Sequence, residues 1–396
     1  MTASDPIVIV SIARTPMGGM LGMLTPLTAS QLGAVTIKAA VERAGLAPAD
    51  VEEVIMGNCL PAGQGQAPAR QAARGAGLPD AVGATTINKM CGSGMKAIML
   101  AHDLLKAGSN SVMVAGGMES MTNAPYLLPK ARGGYRYGHA MMYDHMALDG
   151  LEDAYERGTA MGVFAERTVE KYGFTRKQQD DFAIESLARA KRANEDGSFA
   201  FEIVPVELQG KTGVEKIAHD EQPAKGRPDK IPALKPAFKK DGTITAATAS
   251  SISDGAAAVV LMTQSEASKR GLKPLAKIVA HASHSRLPAE FTIAPVTAIS
   301  DVLAKAGWKT GDVDLWEINE AFAVVAMAAM KEHKLDHAKV NLHGGACALG
   351  HPIGASGARI VTTLIGALQK TGGKRGVASL CIGGGEAVAL ALEMLG

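Results

Sequence analysis

The chain has 396 residues, 47% of them apolar and 20% charged, with a formal net charge of +2 and only 4% aromatic residues. That is a globular composition with core enough for two or three domains, and it argues against a basic or base-stacking nucleic-acid surface. Four widely spaced cysteines (Cys59, Cys91, Cys347, Cys381) without a CxxC argue for a reducing compartment without a disulfide frame.

Strand and helix signals alternate over the first third. Residues 1–5 carry no basic region ahead of the apolar residues 7–13, so no signal peptide is expected. Residues 7–12 predict a buried strand, 31–43 a helix closed by Gly45, and 51–56 a second strand. A Gly/Pro-rich loop over 57–65 and a helix over 66–74 precede a short strand at 84–87. The stretch NKMCGSGMK (88–96) then opens a helix whose Met95, Ile98, Met99, His102 and Leu105 keep helical spacing up to Gly108. Residues 111–115 are another apolar strand. This alternation predicts an α/β domain around a central sheet. Cys91 lies in the glycine-rich turn between strand and helix. There its sulfur is expected to be exposed, with first-turn amides stabilising a thiolate. Taken alone, a packed thiol is the commoner role for such a cysteine.

Residues 122–245 read as an insertion over this core. They carry several methionines and tyrosines and two helical stretches, 158–172 and 175–194. The second opens on Thr175 and Gln178, the pattern of a capping box. The basic residues Lys225, Arg227, Lys230, Lys239 and Lys240 either meet an anionic ligand or form a solvated surface. The longest uncharged apolar run, 321–330, is too short to span a bilayer. A cytoplasmic location is expected.

The order of elements then repeats. Residues 44–56 (AGLAPADVEEVIM) resemble 306–318 (AGWKTGDVDLWEI) at an offset of 262. Ser93-Gly94 matches Ser356-Gly357 at 263, and 112–117 (VMVAGG) resembles 379–384 (SLCIGG) at 267. A nearly constant offset through three elements indicates an internal duplication into two similar α/β halves.

Three further stretches carry chemistry. Asn319 ends a strand, where it either caps the next helix or positions a water or an anion. His351 sits in GGACALGHPIGASG (344–357), before a helix start, as Cys91 does in the first half, and a histidine there suits a base. Cys381 closes a strand before three glycines whose amides suit an oxyanion hole, and GGG lacks dinucleotide or P-loop spacing. Metal binding by two cysteines and a histidine is the rival reading, yet no short motif supplies two ligands. Nucleophilic acyl transfer fits the set better. Cys347 reads as packing.

With these residues in place the chain resembles the thiolase family from end to end. NKMCGSG (88–94), NEAFA (319–323), GHPIG (350–354) and CIGGG (381–385) look like its four active-site motifs, in order and spacing. GGMESM (116–121) and NAPY (123–126) match as well. Residues 126–144 look like the tetramerisation loop and pocket rim of its acetoacetyl-CoA type. The resemblance implies a duplicated thiolase fold, a five-layered α-β-α-β-α core. Residues 1–121 plus 246–272 would form one half and 273–396 the other. Residues 122–245 would form an inserted loop domain for CoA binding and tetramer contacts. It implies a reversible Claisen condensation of two acetyl-CoA to acetoacetyl-CoA and CoA, and the rival is a degradative thiolase for longer 3-ketoacyl-CoA. Cys91 would take the acetyl group, activated by His351. Cys381 would deprotonate the second acetyl-CoA. Asn319 would hold a water, and the amides of Cys91 and Gly383 would form the oxyanion hole. Ser250, Met161 and Phe322 match CoA and pocket positions, and Lys225 or Arg227 would meet the CoA phosphates. The partners implied are acetyl-CoA, acetoacetyl-CoA and CoA, with no cofactor, metal, nucleic acid or membrane, in a homotetramer built as a dimer of dimers. The chain departs from the family pattern at Ala160, commonly histidine; at Glu386, commonly Met, Gln or Gly; at His343, often Asn; and in AATAS (246–250), often AGNAS.

Overall fold

The computed structural model describes residues 5–210 and 213–395; residues 1–4, at the start of the segment read for a signal peptide, lie outside them. The first half contributes β1 (Ile7–Arg14), β2 (Glu53–Gly57), β3 (Gly83–Ile87), β4 (Val112–Ser120) and β5 (Ser253–Thr263), in the spatial order β3-β2-β4-β5-β1. The second contributes β6 (Ala276–Ser285), β7 (Leu315–Ile318), β8 (Arg375–Ile382) and β9 (Glu386–Met394), in the order β7-β8-β9-β6. Two residue pairs, Val8 with Lys277 and Ile9 with Ala276, join the sheets between β1 and β6.

The two halves repeat one pairing scheme. β2 runs parallel to β4, which runs antiparallel to β5, and β5 antiparallel to β1. β7, β8, β9 and β6 follow in the same senses. Where β3 lies in the first half, the second has only an isolated bridge from Trp316 to Val340. Register corrects one of the sequence matches. Glu53 faces Met113, and Leu315 faces Gly376. Met113 therefore corresponds to Gly376, an offset of 263 rather than 267. The likeness of VMVAGG to SLCIGG was a coincidence of small residues four positions out of phase.

The longer helices are α1 (Ala29–Arg43), α2 (Pro68–Gly75), α3 (Ser93–Lys106), α4 (Met161–Tyr172), α5 (Arg176–Glu195), α6 (Ala294–Ala306), α7 (Ala323–His333) and α8 (Ile353–Thr371). Strand side chains alternate between faces, and that alternation sorts the helices into layers. Val54, Met56, Val112 and Val114 pack on α1 and α2, while Ile55, Met113 and Ala115 pack on α3 and α8. In the second half Leu380, Leu390 and Leu392 meet α3 and α8, and Val377, Ala389 and Ala391 meet α6 and α7. The result is five layers, α-β-α-β-α. The central α8 is buried without a break from Ile353 to Leu368, which is why its sequence there is apolar or small apart from Arg359, which pairs with Glu317.

The central helices touch backbone to backbone. A Cβ on Gly94 would lie 2.7 Å from the Ala358 nitrogen, and one on Gly357 would lie 2.5 Å from the Met95 nitrogen. The contact is reciprocal, as a pseudo-twofold axis requires.

Between β4 and β5 the chain leaves this core. Thr175 caps α5 through the expected box with Gln178. The helix expected from residue 158 starts at Met161 instead, after the left-handed Gly158. Residues 126–144 form a loop closed by Tyr126–Leu127 pairing with Tyr143–Asp144. Among the described residues no helix is long and apolar enough to cross a membrane.

Candidate active site

The turn after β3 is strained. Met90 adopts φ 47°, left-handed for a residue with a Cβ, at a cost of about 1–3 kcal/mol. A local network holds it. The Lys89 amide donates to Ser93 Oγ (2.8 Å), and Ser93 Oγ donates to the Met90 carbonyl (2.7 Å). The Met90 amide donates to Asn88 Oδ1 (2.9 Å), and the Cys59 thiol reaches the Met90 carbonyl at 3.0 Å. The turn delivers Cys91 two residues ahead of α3.

The Cys91 thiol is not poised as a thiolate. Burial pushes it up to about 11, against the pull of two amides, those of Gly383 and of Cys91 itself. The sequence-based expectation of an exposed sulfur ionised by the helix start is therefore overturned. The residue keeps some accessible surface, but the sulfur is enclosed, and desolvation outweighs the helix-end field. The two amides expected to form the oxyanion hole do converge, one from each half, on this sulfur.

His351 also stands two residues ahead of its helix, α8. Its Nδ1 lies 2.5 Å from Ser356 Oγ, and Ser356 Oγ lies 2.9 Å from the Pro352 carbonyl. A carbonyl only accepts, so the serine donates to Pro352 and receives from Nδ1–H. Nε2 is thus the bare acceptor, and it has no hydrogen-bond partner in the protein. Burial, then the Arg359 charge, push His351 down to about 3, so the ring is neutral at pH 7. Asn319, just past β7, is fixed by the hydrogen bond its backbone amide donates to the Ser379 carbonyl (3.0 Å), and its side-chain amide lies 3.5 Å from His351 Nδ1. Its Oδ1 is buried without a protein partner.

Cys381 is the penultimate residue of β8 and fully buried. Burial first, then the neighbouring Cys91, raise its thiol well above the ordinary value. The three glycines after it make a tight turn in which Gly384 and Gly385 take φ of 92° and 91°, a conformation that requires glycine. Cys381 packs in one cluster with Phe322, Phe291 and Phe164, with Met161 and Phe238 against it. A Cβ on Gly383 would sit 3.6 Å from the Met161 sulfur. Ser250 adjoins this pocket, its amide bonded to the Ala321 carbonyl (3.0 Å).

Cys91, Cys381 and Gly383 thus come together, with Asn319 beside His351 and with Met161 and Phe322 packed on Cys381. The two basic residues do not join them. Lys225 is paired with Glu221, and Arg227 is exposed. Among the described residues no hydrogen bond or ion pair links either to the cysteines.

Three residues at the site escaped sequence reasoning. Ser356 was visible only as half of the Ser-Gly repeat. Glu119 lay inside the matched GGMESM. Fully buried, it accepts from Asn58 Nδ2 (2.6 Å) and from the amides of Cys59 (2.9 Å), Leu60 (3.2 Å) and Gly354 (2.8 Å), and burial raises it to about 7. Glu386, noted only as a departure, forms an ion pair with Lys89. Away from the cysteines, His102, Asp103 and His281 bring ligand-type atoms within 4.8 Å of one another. Both imidazoles already bond Asp103 Oδ1 at 2.9 Å. Lys106 acts on His102, and Lys305 binds the His281 carbonyl, so the surroundings repel a cation.

Comparison with known proteins agrees with this geometry. Residues 7–265 match the thiolase N-terminal domain and residues 272–394 the thiolase C-terminal domain. The chain is 51% identical over 390 residues to acetyl-CoA acetyltransferase 2 of Arabidopsis thaliana, covering 98% of this chain and 96% of the relative. It is 48% identical over 397 residues to a cytosolic acetyl-CoA acetyltransferase of Gibberella zeae, with full coverage of both. The crystal structure of the Acat5 thiolase from Ascaris suum in complex with coenzyme A superposes with a TM-score of 0.93 at 44% identity, covering 99% of this chain and 100% of that one. Two cysteines brought beside one Gly383 amide by a duplicated fold, and a match over nearly the whole length, place the chain in the thiolase family.

Proposed function

We propose that the protein is an acetyl-CoA C-acetyltransferase, joining two acetyl-CoA into acetoacetyl-CoA and CoA through an acetyl-Cys91 intermediate. The observation that carries this reading is the convergence of the Cys91 and Gly383 amides on one sulfur that lies beside a second buried thiol. His351 Nε2 takes the Cys91 proton as sulfur attacks the thioester carbonyl, and the two amides hold the oxyanion. CoA thiolate departs with the Cys381 proton. That step leaves Cys381 as a thiolate opposite a protonated His351, so a thiol that burial keeps neutral at rest becomes a base only after the acetyl group is loaded. Cys381 then takes a proton from the methyl of the second acetyl-CoA. His351 and a water held by Asn319 stabilise the enolate, which attacks acetyl-Cys91. Cys91 leaves and recovers its proton from His351. The thioester supplies the activation, so this sequence of steps needs no metal or redox cofactor.

The apolar wall of Met161, Phe322, Phe291 and Phe238 beside Cys381 favours a short acyl chain. Ala160, where a histidine is common, leaves that end without a polar contact and favours the longer-chain 3-ketoacyl-CoA reading. We assign residues 122–245 to CoA and subunit contacts, Ser250 to the pantetheine, and Arg227 rather than Lys225 to the phosphates, because Glu221 already neutralises Lys225. The exposed tract Leu128, Tyr137, Met141 and Met142 supports a tetramer, and the cytosolic relative supports a cytoplasmic location.

Incubation with acetyl-CoA followed by peptide mass analysis is expected to place one acetyl group on Cys91 and none in Cys91→Ala. An adduct retained in that variant sinks the reading. Thiolysis rates across a 3-ketoacyl-CoA series are expected to peak at four carbons, and a peak at longer chains favours the degradative enzyme.

A further inference from the structure

The active site needs two turns from opposite halves held at a fixed separation. One is the strained turn at 88–92, carrying Cys91 and its amide. The other is the turn after β8, carrying the Gly383 amide. Among the described residues no strand pairing connects them. Besides the Cys91 sulfur on the Gly383 amide, two side-chain contacts do. The first is apolar: Gly92 lies so close to Ile382 that a Cβ there would collide with its Cδ1. The second is ionic: Lys89 Nζ pairs with Glu386 Oε2. Glu386 is itself placed from two sides, by register opposite Ile382 across the glycine turn and by Ser285 Oγ donating to Oε1 at 3.1 Å. Lys89 is two residues from Cys91, and its backbone amide belongs to the network that holds Met90 left-handed.

We propose that the Lys89–Glu386 ion pair is a positioning device for the acyl-transfer step, clamping the two turns so that both oxyanion-hole amides stay aimed at Cys91. Neither residue touches the reacting atoms. Both side chains are 30% exposed, and a pair so placed adds little to stability. What it supplies is alignment, to which acyl transfer is steeply sensitive.

The inference rests on the acetyl-Cys91 reading, and pre-steady-state acetylation by acetyl-CoA tests the two separately. If wild type forms no acetyl-Cys91, the functional reading fails. If it does, Glu386→Gln and Lys89→Met are each expected to lower the acetylation rate and kcat about tenfold. KM should stay within about twofold and the thermal midpoint within about 2 °C of wild type. The double variant should be no slower than either single one, because each already breaks the clamp. Lys89→Arg, which retains the pair, should restore most of the rate. Wild-type acetylation in Glu386→Gln, losses that multiply in the double variant, a loss confined to KM, or no recovery with Lys89→Arg would each overturn the proposal.

Discussion

At Cys91 two opposing effects act on one sulfur, and their balance sets how the site is used. Burial raises the thiol to about 11, while two amides pull it down. The thiolate fraction at pH 7 is therefore small and grows about tenfold per pH unit below that value. Alkylation of Cys91 by iodoacetamide without substrate is expected to accelerate steadily from pH 7 to 9. A plateau near pH 7 would show a thiolate already formed. The proton must then leave during attack, which makes the state of His351 decisive. Ser356 keeps the ring's own proton on Nδ1, leaving Nε2 to accept the one from Cys91. In Ser356→Ala the ring can adopt the other tautomer, and acetylation is expected to slow about tenfold with an unchanged fold, read by rapid-quench kinetics and circular dichroism. Cys381→Ala should still acetylate Cys91, more slowly because CoA leaves without its proton, while condensation falls much further, by about a thousandfold. Equal loss of both half-reactions would remove Cys381 from its assigned role. Cys91, His351 and Cys381 could be picked out as candidates from their glycine-rich surroundings and their order. Their protonation states were not legible, because burial by residues hundreds of positions away decides them.

Among the elements, α3 and α8 matter most, because each begins two residues after a proposed catalytic residue. Their approach is set by Gly94 and Gly357, where an added methyl group would meet backbone rather than a flexible side chain. Gly94→Ala is expected to force the helices apart, destabilising by about 1–3 kcal/mol in chemical denaturation and lowering activity out of proportion, since Cys91 and His351 separate with the helices. The duplication that pairs these glycines was legible in the AG-DV pattern of residues 44–56 and 306–318. Strand register within it was not: small residues placed VMVAGG against SLCIGG, and only the pairing of β4 with β2 and of β8 with β7 corrected the offset. Glu119 shows the same limit. A carboxylate that binds four donors from two halves looks in sequence like any other acid at the end of a strand.

For the whole molecule, the exposed apolar loop makes the assembly testable. If the proposed tetramer forms, replacing Tyr137, Met141 and Met142 with serine is expected to halve the mass seen by light scattering and to leave acetylation of Cys91 intact; an unchanged mass would place the subunit contacts elsewhere. The strand order has a further consequence, for synthesis of the chain. β5 lies between β1 and β4, yet its residues 253–263 are made after the whole insertion. The first sheet cannot close on the ribosome until the chain has passed residue 263, and the Gly383 amide emerges later still. At about 5–20 residues per second, Cys91 waits roughly 15–60 s for Cys381 to be made. Through that interval the nascent chain holds its future nucleophile beside an open sheet edge, with no partner able to complete the chemistry. The order of the strands thus makes the enzyme inert until translation is nearly done, and makes the half-built first sheet the stage at which a chaperone is most needed.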